Sequence, residues 1–452
     1  MVSAATVLKN CVNVKHTVID SFEFDKNLRG EQVLKLHVHP HKTHCRRCPV
    51  CGRRCPGYDI SEAERKWRAP DLNGLIIELY YRVSRISCPE HGVITESVPW
   101  AFEDSGFTRD FDLTATFFAL NINRSVTAEY LRCDWHTVMR CISRARAYVE
   151  PDRRKRYEGL VNIGIDETSY RKGHKYITVV VNHDTGALVW CSPGHDKETL
   201  SKFFEELTAE QRAGIKSVSG DGARWIDACI EKYIPQAQRC VDGFHVVNWA
   251  MEALDELRKE QWRQLNSDAR LQAEALNPHR GRPKSTDTAA KKLSEAVKKA
   301  SNIKTSTYAL GKAPERLTAN QRHKLEMIAA TNPRLYRGYK LKEQLRLVFK
   351  LDNETYAKDE LDSFLWRATH SRIPVFKELA YKIRRHEEHI LNTIKTKLSN
   401  ARVESVNNKI KLFIRKAFGF RNIQNMLDLI MLGCSKISIP LPNRADNGLK
   451  VA

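Results

Sequence analysis

The sequence predicts a multidomain chain in which a mixed α/β domain is interrupted by a long helical segment and preceded by two small amino-terminal modules. Three observations support this prediction. Five of the twelve cysteines lie within 45–88, short apolar runs alternate with helical patterns over 161–249, and polar helical patterns fill 251–394. The 452 residues also exceed the roughly 250–300 at which a single hydrophobic core stops growing.

The α/β pattern begins with three consecutive strand-like runs. VNIGID alternates the apolar residues Val161, Ile163 and Ile165 with polar or small ones, and KYITVVVN and ALVWCS follow after turn residues. Next come a helix at about 197–207, the strand IKSVSG, a helix at 224–233, the strand QRCV and a further helix. This order is that of a ribonuclease-H-like fold, a mixed sheet flanked by helices.

The amino-terminal cysteines have the spacing of a metal site. Two knuckles, HCRRCPVCGRRC and CPEHG, flank a basic strand-like stretch at 75–86, as in a small zinc ribbon. Zinc takes four nitrogen or sulfur ligands in a tetrahedron. The predicted ligands are Cys48, Cys51, Cys88 and His91. Cys45 and Cys55 are alternative ligands. A cluster of reduced thiols without a metal is the alternative to a zinc site, but so small a module has little core and would need a metal to stabilise it.

A helical pair follows the cysteines and has the pattern of a helix-turn-helix. Ser125 is the predicted cap of the first helix, the turn falls at 132–133, and Asp134 is the predicted cap of the second. Arg140 and Arg144, four residues apart, would project from one face as a DNA-reading helix requires. Generic helical pairs share this pattern.

Net charge and hydropathy indicate the kind of partner and the cellular compartment to expect. The net charge of +21 favours nucleic acid, because Lys and Arg release counterions from its backbone. No run approaches the roughly 18 apolar residues of a membrane span. The start MVSAATVLKN lacks the basic region and long apolar stretch of a signal peptide, so a cytoplasmic protein is expected.

Long polar helices at about 251–394 are predicted to form an insertion into the α/β core. Their main break contains Arg280 and Arg282 in a pattern that resembles a DNA minor-groove hook, although flexible basic loops have the same composition. The predicted segments are 1–104 with the zinc ribbon at about 44–98, 105–156 with the helix-turn-helix and a basic linker, 157–250 as the first part of the core, 251–394 as the insertion, 395–438 as the final core helices and 439–452 as the tail.

Three acidic residues in different settings indicate metal-dependent phosphodiester chemistry. Asp166 is predicted to end the first core strand, Asp221 follows the fourth strand between two glycines, and Glu404 lies on an amphipathic helix. Two Mg²⁺ or Mn²⁺ ions held by carboxylates can activate an attacking oxygen and neutralise a leaving one. Asp166 would bridge both ions, while Asp221 and Glu404 would each hold one. Taken singly, each acid is explained equally well by a structural role: Asp166 as a strand-end cap, Asp221 as a turn residue and Glu404 as a solvated helix position.

Further residues accompany or compete with these acids. Asn408, Lys411 and Arg415 share the helix face of the glutamate, beside an expected track of DNA phosphates. His245 is a candidate for an accessory or DNA-positioning role, although a capped core histidine fits equally well. The competing carboxylates are Glu167 and Asp242.

Several blocks of the sequence resemble a known family. The blocks IGIDETSYRKGHKYITVVVN, VSGDGARW, CVDGFHVVNWA and ARVESVNNKIKLFIRKAFGFRN follow CPVCG, CPEHG and SVTAEYL. Over nearly the whole chain they resemble DDE-type bacterial insertion-sequence transposases with an amino-terminal zinc finger, the ISL-three group. The resemblance implies that Asp166, Asp221 and Glu404 are the catalytic triad, and residue patterns alone do not select Glu404. His91 departs from the family, whose second zinc pair usually has cysteine.

The resemblance implies DNA transposition in the bacterial cytoplasm, at the nucleoid and away from membranes. The chain would bind double-stranded DNA at the terminal inverted repeats of its own element, then cut and join strands. A homodimer or higher oligomer is expected, because two element ends must meet. The alternatives are a DNA-binding regulator with an inactive catalytic domain and a hydrolytic ribonuclease-H-like nuclease.

Overall fold

The computed structural model describes residues 4–276 and 288–441, which form three β-sheets among many helices. The predicted mixed α/β character is therefore confirmed. Arg280 and Arg282 of the predicted minor-groove hook, and most of the predicted tail, lie outside the described residues.

The amino-terminal region contains two of the sheets. Its elements are α1 (Ala4–Val12), β1 (Thr17–Lys26), β2 (Gln32–Pro40), β3 (Gly57–Ile60), β4 (Arg65–Leu72), β5 (Leu75–Tyr81), β6 (Ser84–Cys88) and β7 (Gly92–Thr95). The sheets have the orders β1–β2–β5–β4 and β3–β6–β7. The stretch 75–86, predicted as one strand-like part of the ribbon, is divided between them. The four-stranded sheet was not predicted; it has a core of its own around Leu36, Trp67 and Leu79.

Three helices follow: α2 (Arg109–Asn121), α3 (Arg124–Tyr130) and α4 (Trp135–Val149). Asp134 caps α4 as predicted, since its carboxylate accepts the Thr137 N–H at 2.9 Å. The predicted cap of α3 is wrong. Asn123 accepts the Val126 N–H at 2.8 Å, and Ser125 already lies inside the helix.

The third sheet holds the predicted α/β pattern. Its region comprises a 3₁₀ turn (Arg153–Tyr157), β8 (Asn162–Arg171), β9 (Lys175–Asn182), β10 (Ala187–Pro193), α5 (Lys197–Glu206), α6 (Ala209–Gly214), β11 (Ser217–Gly220), α7 (Arg224–Tyr233) and β12 (Gln238–Val241). The strand order is β10–β9–β8–β11–β12. The first three strands form an antiparallel meander, and β11 runs parallel to both β8 and β12.

Helices make up the remainder. They are α8 (Gly243–Leu276), α9 (Thr288–Lys304), α10 (Thr307–Gly311), a 3₁₀ turn (Pro314–Arg316), α11 (Ala319–Thr331), α12 (Pro333–Val348), α13 (Glu354–Thr369), α14 (Pro374–Arg385), α15 (Glu387–Thr396), α16 (Ala401–Lys416) and α17 (Ile423–Cys434). The predicted segment boundary at 250/251 falls inside α8, whose buried residues Val246, Ala250 and Leu257 belong to one continuous core. None of these helices, within the described ranges, is both long and apolar enough to cross a membrane.

The last two helices return to the third sheet. Val403, Val406 and Ile410 of α16 pack against Val179 and Val181 of β9 in a shared core. This packing places residues of α16 next to strands that lie about 240 positions earlier in the sequence.

Candidate active site and metal centres

Three aspartates lie at one edge of the five-stranded sheet. Because β8, β11 and β12 are parallel, their carboxyl ends face the same side, where open α/β sheets bind ligands. Asp221 follows β11 and Asp242 follows β12, as predicted. Asp166 does not end its strand, because the hairpin of β8 with β9 continues to Arg171. Its pairing with β11 stops at Gly164, so Asp166 still lies beyond the end of the neighbouring strand.

The environment of Asp166 disfavours its negative charge. Burial raises the pKa of this carboxyl, and the charges of Asp221 and Asp242 raise it further. The Glu167 N–H, which donates to Asp166 Oδ1 at 2.8 Å, and the imidazole of His245 act in the opposite direction. A bound cation would relieve this repulsion.

The neighbouring carboxyls show the same effect. Burial raises the pKa of Asp242, and the charge of Glu404 on α16 adds to the shift. Burial, followed by the charges of Asp221 and Asp166, raises the pKa of Glu167 to about 7. The site therefore concentrates negative charge contributed by the sheet edge and by α16.

Asn407 is a site residue that the sequence patterns did not indicate. Its amide donates to Asp166 Oδ2 at 2.7 Å, it is only 5% exposed, and its own Oδ1 has no hydrogen-bond partner in the part of the chain that the structure describes. The prediction named the adjacent Asn408, which is exposed. A usable signal was present, since Asn407 follows Val403 by four positions and is therefore a polar residue on the buried side of an amphipathic helix.

The exposed face of α16 has the predicted composition. Glu404, Asn408, Lys411 and Arg415 are all exposed on it. Next to the sheet edge, His245 Nε2 lies 3.8 Å from Asp242 Oδ2. The exposed face of α16 therefore has an acidic residue, Glu404, near the start of the helix and two basic residues, Lys411 and Arg415, farther along it.

The cysteine knuckles bring together the four predicted ligands. The Sγ atoms of Cys51 and Cys88 are 3.7 Å apart, and His91 Nδ1 lies 3.6 Å from Cys48 Sγ and 3.5 Å from Cys88 Sγ. A tetrahedral zinc ion with bonds of about 2.3 Å to sulfur and 2.0–2.1 Å to nitrogen has ligand separations of about 3.5–3.8 Å. These three separations agree with such an ion, and all four ligand atoms lie within 4.8 Å of one another. Cys45, an alternative in the prediction, donates instead to the Lys42 carbonyl at 3.3 Å.

Comparison with known proteins identifies the family. Residues 163–430, more than half of the chain, match the family model of the ISL3 (ISL-three) group, described as transposase. The chain belongs to this transposase family. The transposase for insertion sequence element IS1557 of Mycobacterium tuberculosis is 41% identical over 431 residues, 95% of each chain. The transposase for IS1001 of Bordetella parapertussis is 26% identical over 379 residues, 83% of this chain and 85% of that protein. The predicted family and transposase function are thereby confirmed.

The two arginines predicted on the second helix of the helix-turn-helix have different environments in this transposase. Arg140 of α4 is exposed. Arg144 donates from Nε and Nη2 to the Asp112 carboxylate of α2 at 2.8 and 2.7 Å, and that carboxylate is fully buried. The expectation that both arginines project together is wrong, because α2 covers the position of Arg144.

Arg144→Ala is expected to destabilise the transposase by about 3 kcal/mol, because it leaves the Asp112 charge buried without its partner. Arg140→Ala is the matched control, since it removes an exposed arginine from the same helix and should leave stability nearly unchanged. Urea unfolding monitored by circular dichroism measures both variants. Equal stability of the two variants would contradict a structural role for the Arg144–Asp112 pair.

Proposed function

We propose that this transposase binds the terminal inverted repeats of its own element as double-stranded DNA, then cleaves the DNA and transfers strands with a triad of Asp166, Asp221 and Glu404. The cluster of carboxylates at the sheet edge is the observation that carries the proposal. The buried Asp112 carboxylate, by contrast, is paired with Arg144. Among the described residues, none of the three acids has a cationic side chain within ion-pair distance, so their charges are left for another cation.

The strand order supports a ribonuclease-H-like core. The antiparallel strands β10–β9–β8 continue into the parallel strands β11 and β12, with helices between the parallel strands. The long helical segment leaves this core after β12 and α16 returns to it, which agrees with an insertion before the last acid. In this arrangement Glu404 would contribute to the site from α16, because its neighbours Val403 and Val406 pack against the sheet.

The donor set fits Mg²⁺ or Mn²⁺, hard cations that prefer carboxylate oxygens. Asp166, Asp221 and Glu404 would hold these ions, and Asp242 remains a competing ligand at the same edge. Bound there, two such ions supply activation of the attacking oxygen and stabilisation of the leaving oxygen. The cysteine and histidine knuckle would hold Zn²⁺ as a structural ion.

The protein's own groups position the substrate and the acids. The Asn407 amide and the Glu167 N–H orient the Asp166 carboxylate. Lys411 and Arg415, exposed on α16 beyond Glu404, would contact DNA phosphates, and Arg140 would contact DNA from α4. A homodimer or higher oligomer would bring two element ends together.

The decisive experiment supplies purified transposase with Mn²⁺, a duplex carrying the element end and a target duplex. We expect both cleaved ends and products joined to the target. A DNA-binding regulator would bind the duplex without cutting it, and a hydrolytic nuclease would cut it without yielding joined products. Either of those results would replace the proposal.

Asn407→Ala is expected to lower the cleavage rate tenfold to a hundredfold with little change in affinity for the element end, because it removes the amide that orients Asp166. Ser405→Ala is the matched control, an exposed position on the same helix. Single-turnover cleavage at saturating DNA measures the effect. Equal rates in the two variants would show that Asp166 needs no positioning by α16.

A further inference from the structure

A second cluster of metal-ligating side chains lies where the helical segment meets the core. Asp227 belongs to α7, His386 joins α14 to α15, and His389 lies in the first turn of α15. One ligand atom from each of the three lies within 4.8 Å of the other two. These residues belong neither to the carboxylate triad nor to the cysteine knuckles.

The two imidazoles have the separation that a tetrahedral ion requires. His386 Nδ1 and His389 Nδ1 are 3.3 Å apart. In a tetrahedron with zinc–nitrogen bonds of 2.0–2.1 Å, two nitrogens are about 3.3–3.4 Å apart. We propose that Asp227, His386 and His389 form a second zinc site, which fastens the helical segment to the catalytic core.

Asp227 is already oriented for this role. Its Oδ1 accepts a hydrogen bond from Arg239 Nε at 2.9 Å, which leaves Oδ2 for a metal. The same guanidinium donates to the main-chain carbonyls of Asp221 and Cys240, so it is fixed on three sides. Ligating carboxylates commonly have such a hydrogen-bonded partner. Two imidazoles and one carboxylate favour Zn²⁺ over Mg²⁺ or Ca²⁺, which take mainly oxygen ligands.

The site lies directly behind the loop that carries Asp221. His386 is 3% exposed, and a Cβ on Gly222 would lie 3.3 Å from its Nε2 and 2.6 Å from the ring of Trp249. An ion held by α7 and α15 would therefore lock the packing of the helical segment against this loop. Asp227 and His389 are half-buried, so a water molecule would be able to complete the coordination of a bound ion.

The test measures zinc content in full-length protein by mass spectrometry after dialysis against a weak chelator. We expect two zinc ions per chain in the wild type and one in Cys48→Ser, which lacks the knuckle ion. In the Cys48→Ser background, His389→Gln and Asp227→Asn should each reduce the content to none. His323→Gln should not, because His323 is an exposed histidine on α11.

Cobalt substitution adds an independent readout. Co²⁺ in the Cys48→Ser chain should give a visible spectrum without thiolate charge-transfer bands, and His389→Gln should abolish it. Should Cys48→Ser fail to fold, His389→Gln alone must still lower the zinc content from two ions to one. Zinc contents that are unchanged by His389→Gln and Asp227→Asn would overturn the proposal and leave the two histidines as a hydrogen-bonded pair. Neither result depends on DNA cleavage, so this site and the proposed triad stand or fall separately.

Discussion

Asp166→Asn is expected to abolish DNA cleavage while the protein still folds and binds the element end. The amide keeps the shape of the side chain but loses the charge and one metal-ligating oxygen. Loss of several kcal/mol of transition-state stabilisation corresponds to a rate reduction of about a thousandfold or more. Because burial raises the pKa of Asp166, its charge opposes folding, and a neutral side chain removes that cost. The melting temperature should therefore be no lower than the wild-type value.

Cleavage of an element-end duplex with Mn²⁺, gel-shift binding and thermal unfolding together measure this prediction. Asp221→Asn and Glu404→Gln should give the same result, whereas Asp362→Asn on α13 is the control for an exposed aspartate. Full cleavage by any one of the three variants would remove that residue from the triad. If Asp221→Asn cleaves and Asp242→Asn does not, Asp242 is the second acid.

The elements with clear periodicity could be predicted from the sequence. The helix Arg224–Tyr233 and the strand Gln238–Val241 have the predicted bounds, because strong apolar patterns end there at turn residues. The four-stranded amino-terminal sheet could not be predicted in the same way. Its strands β2 and β5 pair across about forty residues, and no local pattern specifies such a pairing.

How well the position of a candidate site residue could be predicted from the sequence differs from one residue to the next. Asp221 follows a strand, so its place at the sheet edge follows from local pattern. Glu404 depends on α16 packing on β9, a contact across more than two hundred positions, and it was selected by family resemblance rather than by physical reasoning. The prediction that Arg144 is exposed beside Arg140 was wrong for a related reason. The spacing of the two arginines carries no information about α2, which covers Arg144 and supplies its buried partner Asp112.

Cys48→Ser is expected to remove one zinc ion per chain, unfold the small sheet β3–β6–β7 and weaken binding to the element end at least about tenfold. Besides the cysteines, the core of this sheet consists of Ile86 and the partly buried Ile94. So small a core cannot offset the conformational entropy of ordering the module, while structural zinc supplies an apparent ~10 kcal/mol or more in comparable small domains. The knuckle also carries basic residues such as Arg53 and Arg54, whose positions would be lost with the fold.

Cys45→Ser is the matched control, because it changes a neighbouring thiol that lies outside the four-ligand cluster. It should keep the full zinc content and bind the element end normally. Zinc analysis and gel-shift titration at one fixed salt concentration separate the two variants, since phosphate contacts make the affinity depend on salt. Zinc loss in both Cys45→Ser and Cys48→Ser would reassign the first pair of ligands to the CxxC motif of Cys45 and Cys48. Normal DNA binding by zinc-depleted Cys48→Ser would leave the ion a purely structural role and assign end recognition to α4 and α16.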